Sequence, residues 1–221
     1  MKVTQIWRYP VKSMAGERLN RVRIGSLGIE GDRVVHVEDS RGRVITARTH
    51  PRLLGHHATL NASGEPVVGA LLWTDPKVRE DMVKIVGPGA GLVRDDTGDR
   101  FDVLPLLVAT DGAIAAFGHD GRRLRPNLVI SGVEGLAERS WPGQCLRIGE
   151  VMIGIQDLRG RCIMTTFDPD TLEQDRQVLT GIVQKFGGTL ALNCDVIQGG
   201  EIRVGDAVEL VREHECEAIR A

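Results

Sequence analysis

Apolar positions along this chain fall mostly into short alternating or continuous runs, the pattern of strands, and only seldom at helical spacing. Val3 to Val11 reads as a strand with Pro10 near its end. Val34-Val35-His36-Val37 and Val44-Ile45-Thr46 flank Asp39-Ser40-Arg41-Gly42, a turn suited to a hairpin. Leu53 to Leu60 and Val67 to Trp73 are candidates for two further strands. His56 and His57 would then point to opposite faces and share no metal. Gly87-Pro88-Gly89-Ala90-Gly91 reads as a loop and lacks the GxxxxGK[ST] pattern of a phosphate cradle.

The texture changes near residue 105. Leu104 to Val108 is a short apolar run, and Thr110 or Asp111 can cap a short helix over Gly112 to Phe117. Leu128-Val129-Ile130 reads as a buried strand, and Leu146 to Ile155 as a hairpin about Gly149-Glu150. Helical spacing is clearest at Val178, Leu179, Ile182, Val183 and Phe186, stopped by Gly187-Gly188. Val204 to Val208 reads as strand, turn and strand, and the polar tail Arg212-Glu213-His214-Glu215 as a frayed end. Strands dominate and no sustained βαβ alternation appears, which disfavours a Rossmann-type fold. The expected class is mainly β with a few short helices, built as closed or nearly closed β-barrels that leave few strand edges exposed.

Length and composition narrow this picture. The chain has 221 residues, room for one large domain or two small ones sharing a core. Gly is abundant (27 residues) and aromatics are scarce (4%), as short strands joined by tight turns require. A formal charge of -2 disfavours a general nucleic-acid or anionic-membrane role. The sum hides two local clusters, Arg122, Arg123 and Arg125, and Arg41, Arg43, Arg48 and Arg52. Either is a solvated face or part of an anion pocket assembled from several loops. The four Cys at 145, 162, 194 and 216 form no CxxC pair, so no zinc ribbon or iron–sulfur motif is expected, and a disulfide framework is not expected either. The start of the chain lacks a signal-peptide pattern and no apolar run is long enough to span a membrane, so the expected compartment is the cytoplasm.

The segment Gly160-Arg161-Cys162-Ile163, followed by Thr165 to Thr171, carries the most chemistry. It sets a thiol beside a guanidinium at the end of an apolar run. An adjacent positive charge favours thiolate, the form that attacks electrophiles and binds soft metals. The competing reading is a small buried hydrophobe after a strand.

Several blocks together resemble a known family. Arg8-Tyr9-Pro10-Val11-Lys12-Ser13-Met14 is similar to the opening motif of proteins with an N-terminal MOSC barrel. Gly31-Asp32-Arg33 and Thr46-Ala47-Arg48 resemble the next blocks, and Arg125-Pro126-Asn127 through Gly132 an RPN-apolar-SG stretch. Arg161-Cys162 through Asp168-Pro169-Asp170-Thr171 resembles the MOSC signature, and Ile202 to Asp206 its closing hairpin. The blocks keep family order from residue 8 to residue 206. The family includes the mitochondrial amidoxime-reducing component, bacterial relatives, and the C-terminal domain of molybdenum cofactor sulfurases.

The resemblance implies an N-terminal MOSC-associated barrel region over 1–100 and a MOSC domain over 101–221, sharing one core and one cofactor cleft. It implies a molybdenum cofactor with Cys162 as catalytic residue and metal ligand, and Arg161 helping to keep that sulfur deprotonated. Lys12, Ser13, Arg33 and Arg125 are then cofactor contacts, Asn127 offers its amide to pterin edges, and Arg48 and Thr110 fall in the same motifs. The implied reaction is reduction of a small N-hydroxylated or N-oxide substrate, fed by a separate electron-transfer protein, because no four-Cys cluster is present and the chain ends soon after the closing hairpin. Pyridoxal phosphate on Lys12 is disfavoured. The alternatives are a cofactor or sulfur carrier using Cys162 as persulfide or ligand, and a binding module without redox activity. The family pattern has two departures here: Gly160 stands where a relative has Ser, and the 73–104 connection is shorter than in the eukaryotic reductases.

Overall fold

A computed structural model describes residues 1–212 and 215–216. The first half holds β1 (Lys2–Arg8), β2 (Glu17–Leu19), β3 (Arg21–Gly25), β4 (Gly28–Ile29), β5 (Val35–Glu38), β6 (Val44–Ile45), β7 (Ala58–Leu60), β8 (Pro66–Val68) and β9 (Leu71–Leu72). Helix α1 (Pro76–Val86) and β10 (Gly91–Arg94) follow. The second half holds β11 (Leu106–Thr110), α2 (Asp111–Phe117), β12 (Leu128–Ser131), β13 (Cys145–Ile148), β14 (Val151–Gly160), α3 (Gln177–Phe186), β15 (Thr189–Gln198), β16 (Gly200–Arg203) and β17 (Glu209–Val211).

One eight-stranded sheet, in the order β17-β13-β14-β15-β11-β12-β1-β2, joins the two halves of the chain. Its ladders are antiparallel except β11 with β12. The sheet curls almost shut: Lys2 of β1 bridges to Ala207, just before the opposite edge strand, and the N–H of Val3 donates to Asp206 O at 2.9 Å. Its core draws Val3, Ile6, Val22 and Ile24 from the first half and Leu106, Leu128, Ile130, Ile153 and Leu192 from the second. Each such side chain contributes roughly 1.5–3 kcal/mol on burial. The expected mainly-β class is therefore observed.

Three small sheets complete the molecule, β10-β5-β6, β16-β3-β4 and β7-β8-β9. The first and third pack with α1 around a second core containing Met14, Val35, Val37, Leu53 and Met82. Helix α1 has Pro76 at its first position, and Asp75 caps it by accepting from Lys77 N at 2.8 Å. It buries Val78 and Met82, one turn apart. No helix among the described residues is long and apolar enough to cross a membrane.

The turn-based expectations match well. Val37 pairs Ile45 across the Asp39–Gly42 turn, β13 pairs β14 about Gly149, and α3 ends at Gly187, whose φ of 64° suits glycine. Other expectations need correction. Residues 51–55 form a 3-10 turn, begun by Pro51, so only 58–60 of the 53–60 run is a strand. His56 and His57 precede that strand. Val67 to Trp73 breaks at Gly69 (φ 63°) into β8 and β9, which pair with each other. The strands around Val204-Gly205 do not form a hairpin: β16 pairs β3 and β17 pairs β13. The sequence reading passed over α1. One disulfide, Cys145–Cys216, ties β13 to the chain's end. Of the tail, Glu213 and His214 lie outside the described residues.

Candidate functional site

The long strands β14 and β15 change character along their length. β14 opens with five buried residues, Val151 to Ile155, and then carries polar Asp157 and Arg159 as it leaves the core. It delivers Arg159, Gly160, Arg161 and Cys162 to a cleft of about 110 Å³ that opens to solvent. From the first half come Lys12 and Ser13 after β1, Arg33 before β5, and Arg48 after β6. The segment before β12 adds Arg123, Arg125 and Asn127, and β15 adds Asn193.

Ser13 (φ 69°), Arg33 (56°) and Arg125 (55°) adopt the left-handed backbone region, in which only five non-glycine residues of the described chain are found. Such conformations cost of order 1 kcal/mol and persist only where surroundings enforce them. Here the enforcing contacts are visible. Ser13 Oγ accepts the N–H of Ala47 at 3.0 Å. The fully buried Asp32 carboxylate accepts from Tyr9 N at 2.7 Å, from Arg33 Nη1, and from Asn127 Nδ2 at 3.2 Å. Arg125 Nη2 donates to Met14 O at 2.7 Å, and its guanidinium lies 4.2 Å from the centroid of the Tyr9 ring. Burial pushes the Tyr9 phenol up to about 12.

Seven basic side chains line the cleft against one acidic one, Asp102. Arg33 is paired with Asp32, and Arg123 with Asp168 at 3.0 Å. Lys12 and Arg48 share Asp102, at 2.9 and 2.6 Å. Arg159 is more distant from it, at 3.9 Å. Arg125 and Arg161 have no carboxylate partner among the described residues. Burial pulls each of these two guanidinium groups down to about 10. Arg161 Nη2 donates to Leu124 O at 2.8 Å, while its buried Nε finds no acceptor. A buried donor without a partner and positive charge without a counter-charge both cost free energy, and an anionic ligand would offset both.

Cys162 is half-buried and free. Its carbonyl accepts from Thr165 N at 3.0 Å and Thr165 Oγ1 at 2.8 Å, fixing the start of a 3-10 turn. Arg48, Arg159 and Arg161 all lie within electrostatic reach of its sulfur. For Arg48, burial acts downward, but the Cys162 sulfur and Asp102 outweigh it and the net shift is upward. The other free thiol, Cys194, is fully buried in the core, and burial pushes it well up. Among the described residues no cluster of three or more His, Cys, Asp or Glu could hold a metal ion.

Of the residues singled out from sequence, the cleft gathers Lys12, Ser13, Arg33, Arg48, Arg125, Asn127, Arg161 and Cys162. Thr110 is a correction. It is fully buried as the N-cap of α2, accepting from Ala113 N at 3.1 Å and bonded to the buried Glu138 at 3.3 Å. The role expected of the Asn127 amide is also corrected. Its Nδ2 is committed to Trp7 O and Asp32, and its Oδ1 to Leu107 N and Arg33, so it braces the cleft wall and offers no free edge. Asp168 accepts from Asp170 N and Thr171 N, both at 3.0 Å, and so shapes a turn. The sequence reading missed Asp32, Asp102, Arg159 and Asn193. Arg159 had a signal, since alternate residues of a strand share a face and it stands two before Arg161. Asp102, in an irregular segment, had none.

A curled β-sheet that delivers a half-buried thiol to a basic cleft defines the class of protein. A model described as the MOSC N-terminal beta barrel domain matches residues 1–86, and one described as the MOSC domain matches residues 113–209. The mitochondrial amidoxime reducing component 2 of Homo sapiens is 34% identical, over 93% of this chain and 82% of its own. The mitochondrial amidoxime-reducing component 1 of Mus musculus is 26% identical, over 95% and 82%. Among solved structures, the YUAD protein from Bacillus subtilis superimposes with a TM-score of 0.53 at 13% identity, over 95% of this chain and 94% of that one. The chain belongs to the family of MOSC-domain proteins with an N-terminal MOSC β-barrel domain.

Proposed function

We propose that this chain binds molybdenum cofactor in the basic cleft, with Cys162 as the protein ligand to the metal, and reduces N-hydroxylated or N-oxide compounds. The observation that carries the reading is the single half-exposed thiol set among Arg48, Arg159 and Arg161 in a cleft with seven basic side chains. The similar curated proteins are named amidoxime-reducing components, which supports the reaction class.

The residues present suit such a group. The uncompensated charges of Arg125 and Arg161 and the unpartnered Arg161 Nε call for an anion, and a thiolate suits a soft metal that brings its own sulfur ligands. Bound there, the cofactor supplies two-electron redox chemistry. Lys12, Arg33, Arg48, Arg125 and Arg161 hold its negative charge, the guanidinium forks matching phosphate oxygens. Ser13 anchors the wall through Ala47 N, and Asp32 and Asn127 keep Arg33 oriented. Lys12 Nζ is engaged by Asp102 and by Arg100 O at 2.8 Å, which suits a fixed cation and not a pyridoxal phosphate Schiff base.

The reading treats 1–100 and 101–221 as two regions sharing one core, takes electrons from a separate protein, and places the chain in the cytoplasm with no nucleic-acid or membrane partner. Disulfides are rare in that compartment, so the Cys145–Cys216 pair would be largely reduced in the cell. Elemental analysis after co-expression with cofactor biosynthesis tests the centre. Near-stoichiometric molybdenum in the parent protein and little in Cys162→Ala supports ligation and warrants assay of N-hydroxylated substrates with a chemical donor. Equal metal in both removes Cys162 as the anchor and favours a carrier. Absence from both, with a control molybdoenzyme loaded, ends the molybdenum assignment.

A further inference from the structure

Among the described residues, Asp102 is the only acidic side chain lining a cleft with seven basic ones. Its Oδ1 takes the Lys12 ammonium at 2.9 Å, its Oδ2 takes Arg48 Nη2 at 2.6 Å, and Arg159 Nη2 lies 3.9 Å from the same oxygen. The three neighbouring cations hold its carboxyl below the usual range against the opposing effect of burial. One carboxylate thus stands where an incoming anion would find its partners.

The backbone that carries Asp102 is loosely held. It belongs to no strand or helix, lying between the 3-10 turn Gly98–Arg100 and β11. Among the described residues, the N–H groups of Asp102, Val103 and Leu104 have no backbone hydrogen-bond partner, and Val103 is 52% exposed. The polar ties of this strap to the cleft are the Asp102 side chain and, at its start, the Arg100 carbonyl, which accepts from Lys12 Nζ at 2.8 Å. The strap can withdraw without breaking a ladder.

We propose that Asp102 is a resident counter-ion that a ligand must displace, so that it sets the charge the cleft demands of what it binds. The argument rests on the anion-binding part of the function given above and is independent of the redox chemistry. A monoanion only replaces one negative charge by another and still has the strap to move. A phosphate or diphosphate group brings two or more charges to Lys12, Arg48 and Arg159 and gains more than the carboxylate gives up. Asp102 thereby discriminates against monoanions such as chloride, nitrate or acetate.

Calorimetric titration of the cofactor-free protein with inorganic pyrophosphate and with nitrate, at low ionic strength, tests this. The parent protein should bind pyrophosphate and show no heat with nitrate. Asp102→Asn should bind pyrophosphate roughly tenfold more tightly and acquire measurable nitrate binding, the expected gain from removing one like charge at close range. Asp102→Glu keeps the charge and should bind no more tightly than the parent. Pyrophosphate binding by the parent with equal or weaker binding by Asp102→Asn would overturn the proposal, because Asp102 would then stay in place and brace Lys12 and Arg48 beside the ligand. Binding by neither protein would overturn it together with the anion-binding reading. Should Asp102→Asn fold poorly, a parent and an Asp102→Glu that both bind nitrate as well as pyrophosphate would also overturn it.

Discussion

Arg122 and Arg125 stand three positions apart at one turn, and their surroundings are opposite. On the outer face, Arg122 is clamped by Asp120 at 2.7 Å and Asp170 at 2.6 Å, and the bonds to Asp170 and Asp120 raise its pKa. On the inner face, Arg125 takes a φ of 55°, turns over the Tyr9 ring, and among the described residues its side chain has only the Met14 carbonyl as a hydrogen-bond partner, and burial lowers its pKa to about 10. The first arrangement is a solvated ion-pair network whose charges water would also satisfy. The second keeps a half-buried positive charge in the cleft wall without a carboxylate partner, which is less favourable for the protein alone than once an anion arrives. The second arginine cluster also divides between surface and cleft: Arg43 is tied to Asp39 on an exposed turn, and Arg48 enters the cleft, where Asp102 holds it at 2.6 Å. Facing the cleft, more than arginine density, separates Arg48 and Arg125 from Arg43 and Arg122.

The largest effect should come from the interior arginine that does have a partner. Asp32→Ala strands Arg33, Tyr9 N and Asn127 Nδ2 in a buried wall, so denaturant unfolding should show a loss of about 3–5 kcal/mol. A loss below about 1 kcal/mol would mean that this pair behaves like the exposed ones, and the inner–outer contrast would collapse. Arg125→Met comes next. Retention of pyrophosphate should fall at least tenfold, while the unfolding midpoint moves less than for Asp32→Ala, because an unfavourable charge leaves along with one hydrogen bond. Unchanged binding with a large drop in stability would make Arg125 a scaffold residue.

Sequence showed the local half of this picture. The turns at Asp39–Gly42 and Gly149, the α2 start and the α3 stop were readable because each depends on a few neighbouring residues with known backbone demands. The pairing of β16 and β17 into different sheets was not, because partner choice depends on contacts distant in the chain. Helix α1 was overlooked although Asp75-Pro76 marks its start. At the site, resemblance of short blocks brought out Lys12, Arg33 and Cys162. It overreached at Thr110, whose hydroxyl serves a helix cap, and gave no hint of Asp102, whose significance comes from two cations 90 and 54 positions away in the chain.

Arg122→Ala probes the outer half of the contrast. Both carboxylates it leaves behind stay hydrated, since Asp170 is 68% exposed and Asp120 is 37% exposed. The change should therefore lower stability by less than about 1 kcal/mol and leave pyrophosphate binding unaltered. A tenfold loss of binding would extend the cleft's field to the outer face and blur the boundary drawn between Arg122 and Arg125.

The smallest effect is expected at Asp39, where charge pairing is wholly local. Its Oδ1 accepts from Arg41 N at 2.9 Å and Arg43 N at 3.1 Å, and its Oδ2 bonds Arg43. The Arg43 side chain, then these two backbone bonds, hold its carboxyl at about 2. A folded-state value below the unfolded one means the group stabilises the fold above the unfolded value, and this contribution fades as pH falls through about 2. Carbon-detected NMR titration of the Asp39 carboxyl should find its midpoint near 2 in the parent and shifted upward in Arg43→Ala. Cofactor or pyrophosphate binding should be the same in both proteins at neutral pH, since this arginine lies on an exposed turn outside the cleft. A midpoint at the ordinary carboxylate value in the parent would show that the outer pairs are too weakly formed to stand as the satisfied half of the comparison.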